Sequence, residues 1–264
     1  ISSKHLYELL IQAKAEVGEL GYSYYEFLFY VFCKYVSSLK GIDALVLEVG
    51  LGGRLDTVNL IDADFSCVTS ISKDHVEFLG NNLKGILLEK LGVTRTHRPC
   101  VFNLAQKELS QDAQLYCNEN SIPFEDLFDS CAVTENDPFF VRNRFLAFIV
   151  SQRVLGRSSI EYSKLREKFS IIEFPTLKGR FEKMTLGNNS FIFIGGHNQD
   201  GIEKIRDFLL SEKSQSKSDS FTFDKLVLSF SKRSFVAAVF NALSVEKALS
   251  ILNRNNVITK ILNT

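Results

Sequence analysis

No charge of either sign dominates this sequence: 31 Lys plus Arg stand against 31 Asp plus Glu. No global field therefore draws the chain to nucleic acid or to an anionic membrane surface, and an anionic ligand must be held by local groups. There is no C-x-x-C pair, and the cysteines (Cys33, Cys67, Cys100, Cys117 and Cys131) are odd in number, which argues against a disulfide framework and against a zinc site. A reducing cytoplasm is the expected location. No apolar run reaches the about 20 residues needed to cross a bilayer. The longest, Tyr24 to Val36, is interrupted by Glu26, Cys33 and Lys34 and is predicted to be a buried helix. Internal repeats are absent, as is a basic-then-apolar leader, and residue 1 is Ile rather than Met, so the chain is expected to be part of a longer protein.

What is present is 45% hydrophobic residues over 264 positions, enough for a substantial core in one large domain or two modest ones. Ser23-Tyr24-Tyr25-Glu26 has the S-x-x-E form of a capping box and predicts a helix from about Tyr24 to Leu39. Two short apolar runs, Ala44 to Leu47 and Phe65 to Ile71, read as strands covered on both faces, and Pro99 to Asn103 as a third. Helical patterns over Asn82 to Gly92 and Glu108 to Glu119 separate the later strands, and Ile122 to Phe124 begins another. Strands alternating with helices imply a parallel sheet.

A helical signal from Asp137 to Phe169 is broken at Phe174-Pro175, which sets the predicted domain boundary: residues 1–172 form one domain and 173–264 a second, smaller one. In the second, Arg180 to Leu186 and Phe191 to Ile194 flank a predicted hairpin turn at Gly187 to Ser190. A helix from Asp200 to Leu210, a solvated Ser211 to Ser220 loop and a strand over Lys225 to Leu228 are expected to follow.

Glu48-Val49-Gly50-Leu51-Gly52-Gly53-Arg54-Leu55-Asp56 follows the first predicted strand, at the strand end where open α/β sheets bind ligands. As a dinucleotide fingerprint it fails, because G-x-G-x-x-G needs a glycine where Leu55 stands. It reads equally as a tight turn that uses glycine for positive φ. Asp74-His75-Val76-Glu77, just past the next strand, is expected on the same sheet edge. A carboxylate and an imidazole meeting there could hold a metal ion, although a lone histidine is more often simply hydrogen-bonded.

The strings Leu47 to Asp56, Asn59, Thr69-Ser70-Ile71, Asp74 to Gly80 and Glu89-Lys90-Leu91-Gly92 resemble, in order and spacing, consecutive motifs of the folylpolyglutamate/dihydrofolate synthase family of the Mur-ligase superfamily. Ser23 to Phe27, Asn143 with Ala147, Gly179 to Glu182 and Gly195-Gly196-His197-Asn198 extend the resemblance over about 20–200, and the last 60 or so residues match loosely. The resemblance implies an α/β fold: a parallel-sheet, P-loop-type ATPase domain without its amino-terminal part, then a smaller Rossmann-like α/β domain. It places Glu48 and His75 at Mg²⁺ ligand positions, Lys90 at a lysine that carries a carbamate, and Arg180, Asn143, His197 and Asn198 at nucleotide-contacting positions. On the residues alone, Lys90 could be half of an ordinary Glu-Lys pair on a helix face and Arg180 a surface arginine on a strand.

By the same resemblance the protein is expected to be a monomeric, cytoplasmic ligase that uses ATP and Mg²⁺ to join L-glutamate to a pterin or folate carboxylate, with no nucleic-acid or membrane partner. The sequence departs from the family at several points. No Gly-Lys-Ser or Gly-Lys-Thr occurs anywhere in it, Phe139-Phe140 stand for a His-Gln pair, Ile194 stands for an aspartate, and Lys178 stands for a proline. A chain without that phosphate loop is expected not to turn over ATP by itself. A non-catalytic binding protein that keeps the ligase fold is the alternative reading.

Overall fold

The structure is a computed structural model, and it describes residues 1–104, 106–128, 137, 139–156, 180–187, 189–194, 201 and 203. Three short strands, β1 (Ser66–Val68), β2 (Cys100–Phe102) and β3 (Phe124–Asp126), form a parallel sheet in the order β1-β2-β3. The ladder runs past the regular strands, for the Ser66 N–H donates to the Pro99 carbonyl (3.0 Å) and the Asn103 N–H to the Val68 carbonyl (3.1 Å). All three residues of β2 are buried, as expected of a central strand covered on both faces.

The pleat sends alternate residues to opposite faces. Cys100 and Phe102 join Val68, Ile86, Leu87, Leu91, Ala113 and Cys117 in one cluster, which holds helices α4 (Leu83–Leu91) and α5 (Lys107–Glu119) against the sheet. Val101 faces the other way, where α6 (Phe139–Val154) packs with Phe145, Leu146 and Ile149. Asn82 caps α4 by accepting from the Lys84 N–H, and Gly92 ends it. The parallel sheet and the α4, α5 and β2 segments thus agree with the sequence, while β1 is shorter than the run from Phe65 to Ile71.

Two antiparallel-packed helices precede this layer, α1 (Ser3–Val17) and α2 (Tyr24–Ser38). The capping box at Ser23 forms as expected: its hydroxyl accepts from the Glu26 N–H at 3.2 Å, and the Glu26 carboxylate accepts from the Ser23 N–H at 2.6 Å. The Ser23 N–H, and to a lesser extent the Ser23 hydroxyl, hold the Glu26 carboxyl below its ordinary range. No expectation covers α1, although Ser2 caps it, Leu6, Leu9, Leu10 and Ala13 recur at helical spacing and Gly18 ends it. Burial of α2 is a correction, because only Val31 along it is buried and Tyr24, Tyr25 and Tyr30 are exposed. α1 covers its Val31, Phe27 and Tyr35 side, and the Thr57–Leu60 turn lies against it elsewhere, which leaves the rest of the helix open.

A second correction concerns Ala44 to Leu47. This run forms no strand, and Val46 is 96% exposed. An apolar run favours burial but cannot supply a hydrogen-bonding neighbour, and no described segment pairs with it.

Strands β4 (Arg180–Leu186) and β5 (Asn189–Ile194) form the predicted antiparallel hairpin. Leu186 pairs with Asn189, so β5 starts two residues before Phe191, and Gly187 supplies φ 60° at the turn. Gly201 and Glu203 are helical, in keeping with the helix expected from Asp200. The boundary at Phe174-Pro175, the Ser211 to Ser220 loop and the Lys225 to Leu228 strand lie outside the described residues. Among the described residues no helix is long and apolar enough to cross a membrane.

Candidate functional site

The glycine-rich segment is docked onto the helix that carries Lys90. A Cβ on Gly53 would lie 2.7 Å from the Glu89 carbonyl and 3.1 Å from the Lys90 Cα, and one on Gly92 would lie 2.4 Å from the Arg54 Cβ. Neither position can hold a side chain unless the segment moves off the helix. The Arg54 N–H donates to the Glu89 carbonyl (2.8 Å), and the Arg54 guanidinium donates to the Glu89 carboxylate through Nη2 (2.8 Å) and Nε (3.1 Å). Asn59 adds a bridge, its amide donating to the carbonyls of Arg54 (3.0 Å) and Gly92 (3.1 Å). Glu89 therefore serves the docking of the glycine segment, and the reading of Glu89-Lys90 as an ordinary exposed pair does not describe this geometry.

The glycine run divides its work. Gly52 takes φ 66°, and a Cβ there would lie 3.1 Å from Leu79 Cδ2, so the turn also touches the segment after Asp74-His75. Gly53 and Gly92 serve close approach. The expectation of a tight turn with positive φ is thus met at Gly52, and a second, packing role emerges that spacing alone does not reveal.

His75 sits in the left-handed region (φ 49°, ψ 42°) at the start of the short helix α3 (Val76–Leu79). A non-glycine residue there carries strain that surrounding structure must hold, a condition concentrated at functional sites. Asp74 holds it: its Oδ1 accepts from the His75 N–H at 3.0 Å, and its Oδ2 lies 4.0 Å from Nε2. Lys90 is half-buried, and burial lowers its ammonium pKa from 10.5, an effect that the nearby Asp74 charge partly opposes. The Asp74-His75 turn, the glycine segment and the end of α4 accordingly meet.

Glu48 is exposed. It contributes, with burial and Asp56, to raising the Tyr25 phenol above its ordinary pKa, which puts its charge on the Tyr25 side of the site. Among the described residues no group of three or more His, Cys, Asp or Glu could hold a metal ion unaided. Two such donors suit an Mg²⁺ that arrives on nucleotide phosphates, because that ion keeps several waters and takes only one or two protein carboxylates. Asn143 lies exposed on α6. Arg180 opens β4, and His197 and Asn198 lie outside the described residues, so these three are not placed relative to Lys90.

Asp56 is the residue that the sequence reading passed over. Its Oδ2 accepts from the N–H groups of Gly50 (3.0 Å) and Leu51 (2.9 Å), and its Oδ1 accepts from the Val58 N–H (2.9 Å) and the Tyr25 hydroxyl (3.4 Å). The available signal was the aspartate directly before the Thr57–Leu60 3₁₀ turn, a cap position.

The fold defines the class of protein first. The structure superposes on that of FolC from E. coli in complex with ADP at a TM-score of 0.68, with 22% identity, over 96% of this chain and 61% of that one. It superposes equally well, at 0.68 and 21% identity, on a bifunctional folylpolyglutamate synthase/dihydrofolate synthase with Mn, AMPPNP and L-glutamate bound, covering 98% of this chain and 68% of that one. The architecture is thus that of the folylpolyglutamate synthase/dihydrofolate synthase fold.

Sequence narrows the class. The chain is 32% identical over 156 residues to the dihydrofolate synthase/folylpolyglutamate synthase of Haemophilus influenzae and 31% identical over 139 residues to that of Bacillus subtilis. Each match takes in 50% of this chain, but only 36% and 32% of those relatives. No protein-family model matches the chain. In sequence as in fold, the chain is a relative of the dihydrofolate synthase/folylpolyglutamate synthases.

Proposed function

We propose that these residues serve an ATP-dependent ligase that joins L-glutamate to a pterin or folate carboxylate. The observation that carries the reading is the meeting of three separated segments, 50–54, 74–79 and 89–92, around a half-buried lysine. Packing built for the fold alone would not need a half-buried lysine, its charged form disfavoured, near the Asp74 carboxylate that holds the strained His75 turn. The ligands held by the solved relatives, ADP in one and Mn, AMPPNP and L-glutamate in another, support the same assignment.

In the proposed reaction an oxygen of the substrate carboxylate attacks the γ-phosphorus of ATP. The bond from that phosphorus to the β–γ bridging oxygen breaks, giving ADP and an acyl phosphate. The neutral amine of glutamate then attacks the acyl carbon, phosphate leaves, and the amine's proton passes to solvent or a nearby base. Glu48 and His75 would hold Mg²⁺, which supplies charge neutralisation on the transferred phosphoryl group. Burial favours the neutral amine of Lys90, the form that takes up CO₂ as a carbamate, and the carbamate would bring anionic oxygens to the metal side of the site. Arg180, Asn143, His197 and Asn198 would contact nucleotide. A single-subunit cytoplasmic enzyme is the assembly proposed.

The second reading is a non-catalytic protein that keeps the fold. It is favoured by Phe139, Phe140 and Ile194, which put apolar groups where the family has polar ones. One assay separates the two: ADP release by the longest natural product that carries these residues, given ATP, Mg²⁺ and dihydropteroate or tetrahydrofolate, with and without L-glutamate. The ligase reading expects glutamate-dependent release that Glu48→Ala and His75→Ala each reduce at least about a hundredfold. A folded protein that binds folate but releases no ADP would establish the second.

A further inference from the structure

We infer that Asp56 is a positioning residue of this site: its carboxylate, tied to α2 through the Tyr25 hydroxyl, fixes the backbone of the Gly50-Leu51 turn and thereby the placement of Glu48. The inference rests on the reading of Glu48 as a metal ligand. Both carboxylate oxygens are engaged, Oδ2 by the N–H groups of Gly50 and Leu51 and Oδ1 by the Val58 N–H and the Tyr25 hydroxyl. Three backbone donors on one carboxylate form an internal anion site made by the chain itself.

The local sequence is fitted to that arrangement. A Cβ on Gly50 would lie 3.0 Å from the Tyr25 hydroxyl and 3.3 Å from Asp56 Oδ2, so glycine leaves room for the phenol and the carboxylate to approach the turn together. Downstream, Gly53 and Arg54 are locked to Glu89 on α4. The segment 50–56 is therefore held at both ends, by Asp56 on one side and by α4 on the other. Glu48 lies two residues from the clamped Gly50 and has no regular secondary structure to orient it. A consequence is that the Gly50 and Leu51 N–H groups are already used by a side chain, so this glycine turn is a support for Glu48 and does not cradle phosphate.

Asp56→Asn tests the clamp with little change in shape. Whichever way the amide turns, its NH₂ faces either the Gly50 and Leu51 donors or the Val58 and Tyr25 donors, and one pair loses its acceptor. Amide exchange followed residue by residue by NMR should accelerate at least about tenfold at Gly50 and Leu51 and remain unchanged at Leu87 and Phe102 in the core. Tyr25→Phe, which removes one 3.4 Å bond, should accelerate the same two amides less than about threefold. In the active protein, the Mg²⁺ concentration for half-maximal glutamate-dependent ADP release should rise about tenfold in Asp56→Asn.

Unchanged exchange at Gly50 and Leu51 overturns the inference, as does a uniform acceleration that includes Leu87 and Phe102, which would make Asp56 a stabiliser of the whole fold. Accelerated exchange with an unaltered Mg²⁺ requirement overturns the link to Glu48. A wild-type protein that releases no ADP in response to glutamate sinks the ligase reading, and the exchange rates then decide the clamp by themselves.

Discussion

The parallel sheet with α4, α5 and α6 and the region from α1 to Val49 are both rich in apolar residues, yet they dispose of them differently. In the sheet layer, Phe102, Leu87, Leu91, Leu104 and Ile149 are fully buried, on two faces. In the first region, Tyr7, Ile11, Tyr24, Leu45 and Val46 are exposed, and the helix pair buries a small cluster centred on Leu9, Ala13 and Val31. Apolar composition sets how much surface is available to bury, whereas the number of elements stacked around it sets how much is buried. A strand between two helical layers has cover on both sides, and a two-helix pair has one seam. Polar atoms follow the same division. Asp126 is buried at the end of β3, where it accepts from Ser110 and from the Gln114 amide (3.1 Å), while the Lys34–Glu16 ion pair that links α1 to α2 is solvent-exposed and of small net value.

This contrast is most directly broken by removing side chains from the better-packed region. Phe102→Ala deletes a ring with no exposed surface at the centre of the sheet, stacked on Phe124 at a 5.7 Å centroid distance. A loss of about 3–5 kcal/mol in unfolding free energy is expected, measured by urea denaturation. A loss below about 1 kcal/mol would mean that the sheet layer is no better packed than the helix pair. Gly92→Ala comes next. Its new methyl group would sit 2.4 Å from the Arg54 Cβ and 2.8 Å from the Arg54 Cα, so α4 and the glycine segment must separate, at a cost of about 1–3 kcal/mol. Ser151→Ala, at an exposed site on α6, serves as the silent control.

Much of the sheet layer was legible because its signals are local. The apolar runs at Phe65 to Ile71 and Pro99 to Asn103, and the helical spacing in Asn82 to Gly92 and Glu108 to Glu119, each specify their own element. Ala44 to Leu47 carries the same kind of signal and forms no strand, because pairing is a property of two segments and the sequence of one does not contain the other. At the site, the motif order singles out Glu48, His75 and Lys90 as candidates, and the structure brings the segments of His75 and Lys90 against the glycine turn. Roles that depend on distance between remote residues were not legible. Gly92 reads as a helix stop, and only its approach to Arg54, 38 positions earlier, gives it a docking role. Asp56 reads as the end of a motif, and only the positions of Gly50, Leu51 and Tyr25 reveal the clamp.

The smaller effects fall in the first region. Ser23→Ala removes the hydroxyl that accepts from the Glu26 N–H at the start of α2 and should cost about 1 kcal/mol, visible as a lower melting temperature of the α1–α2 pair in residue-resolved thermal unfolding. Smallest of all is Val46→Ser. With 96% of its surface in water, Val46 has almost no apolar burial to lose, and a surface substitution of this kind changes stability by less than about 0.5 kcal/mol. The same change at Val101, which is 2% exposed under α6, removes a buried side chain and places a hydroxyl in the core, for a loss of about 2 kcal/mol or more. The pair of urea midpoints is therefore a direct measure of the contrast between the two regions. If Val46→Ser proved as costly as Val101→Ser, residues 44–47 would be buried in solution, and the division of the molecule into a two-faced layer and a one-seamed pair would have to be redrawn at that run.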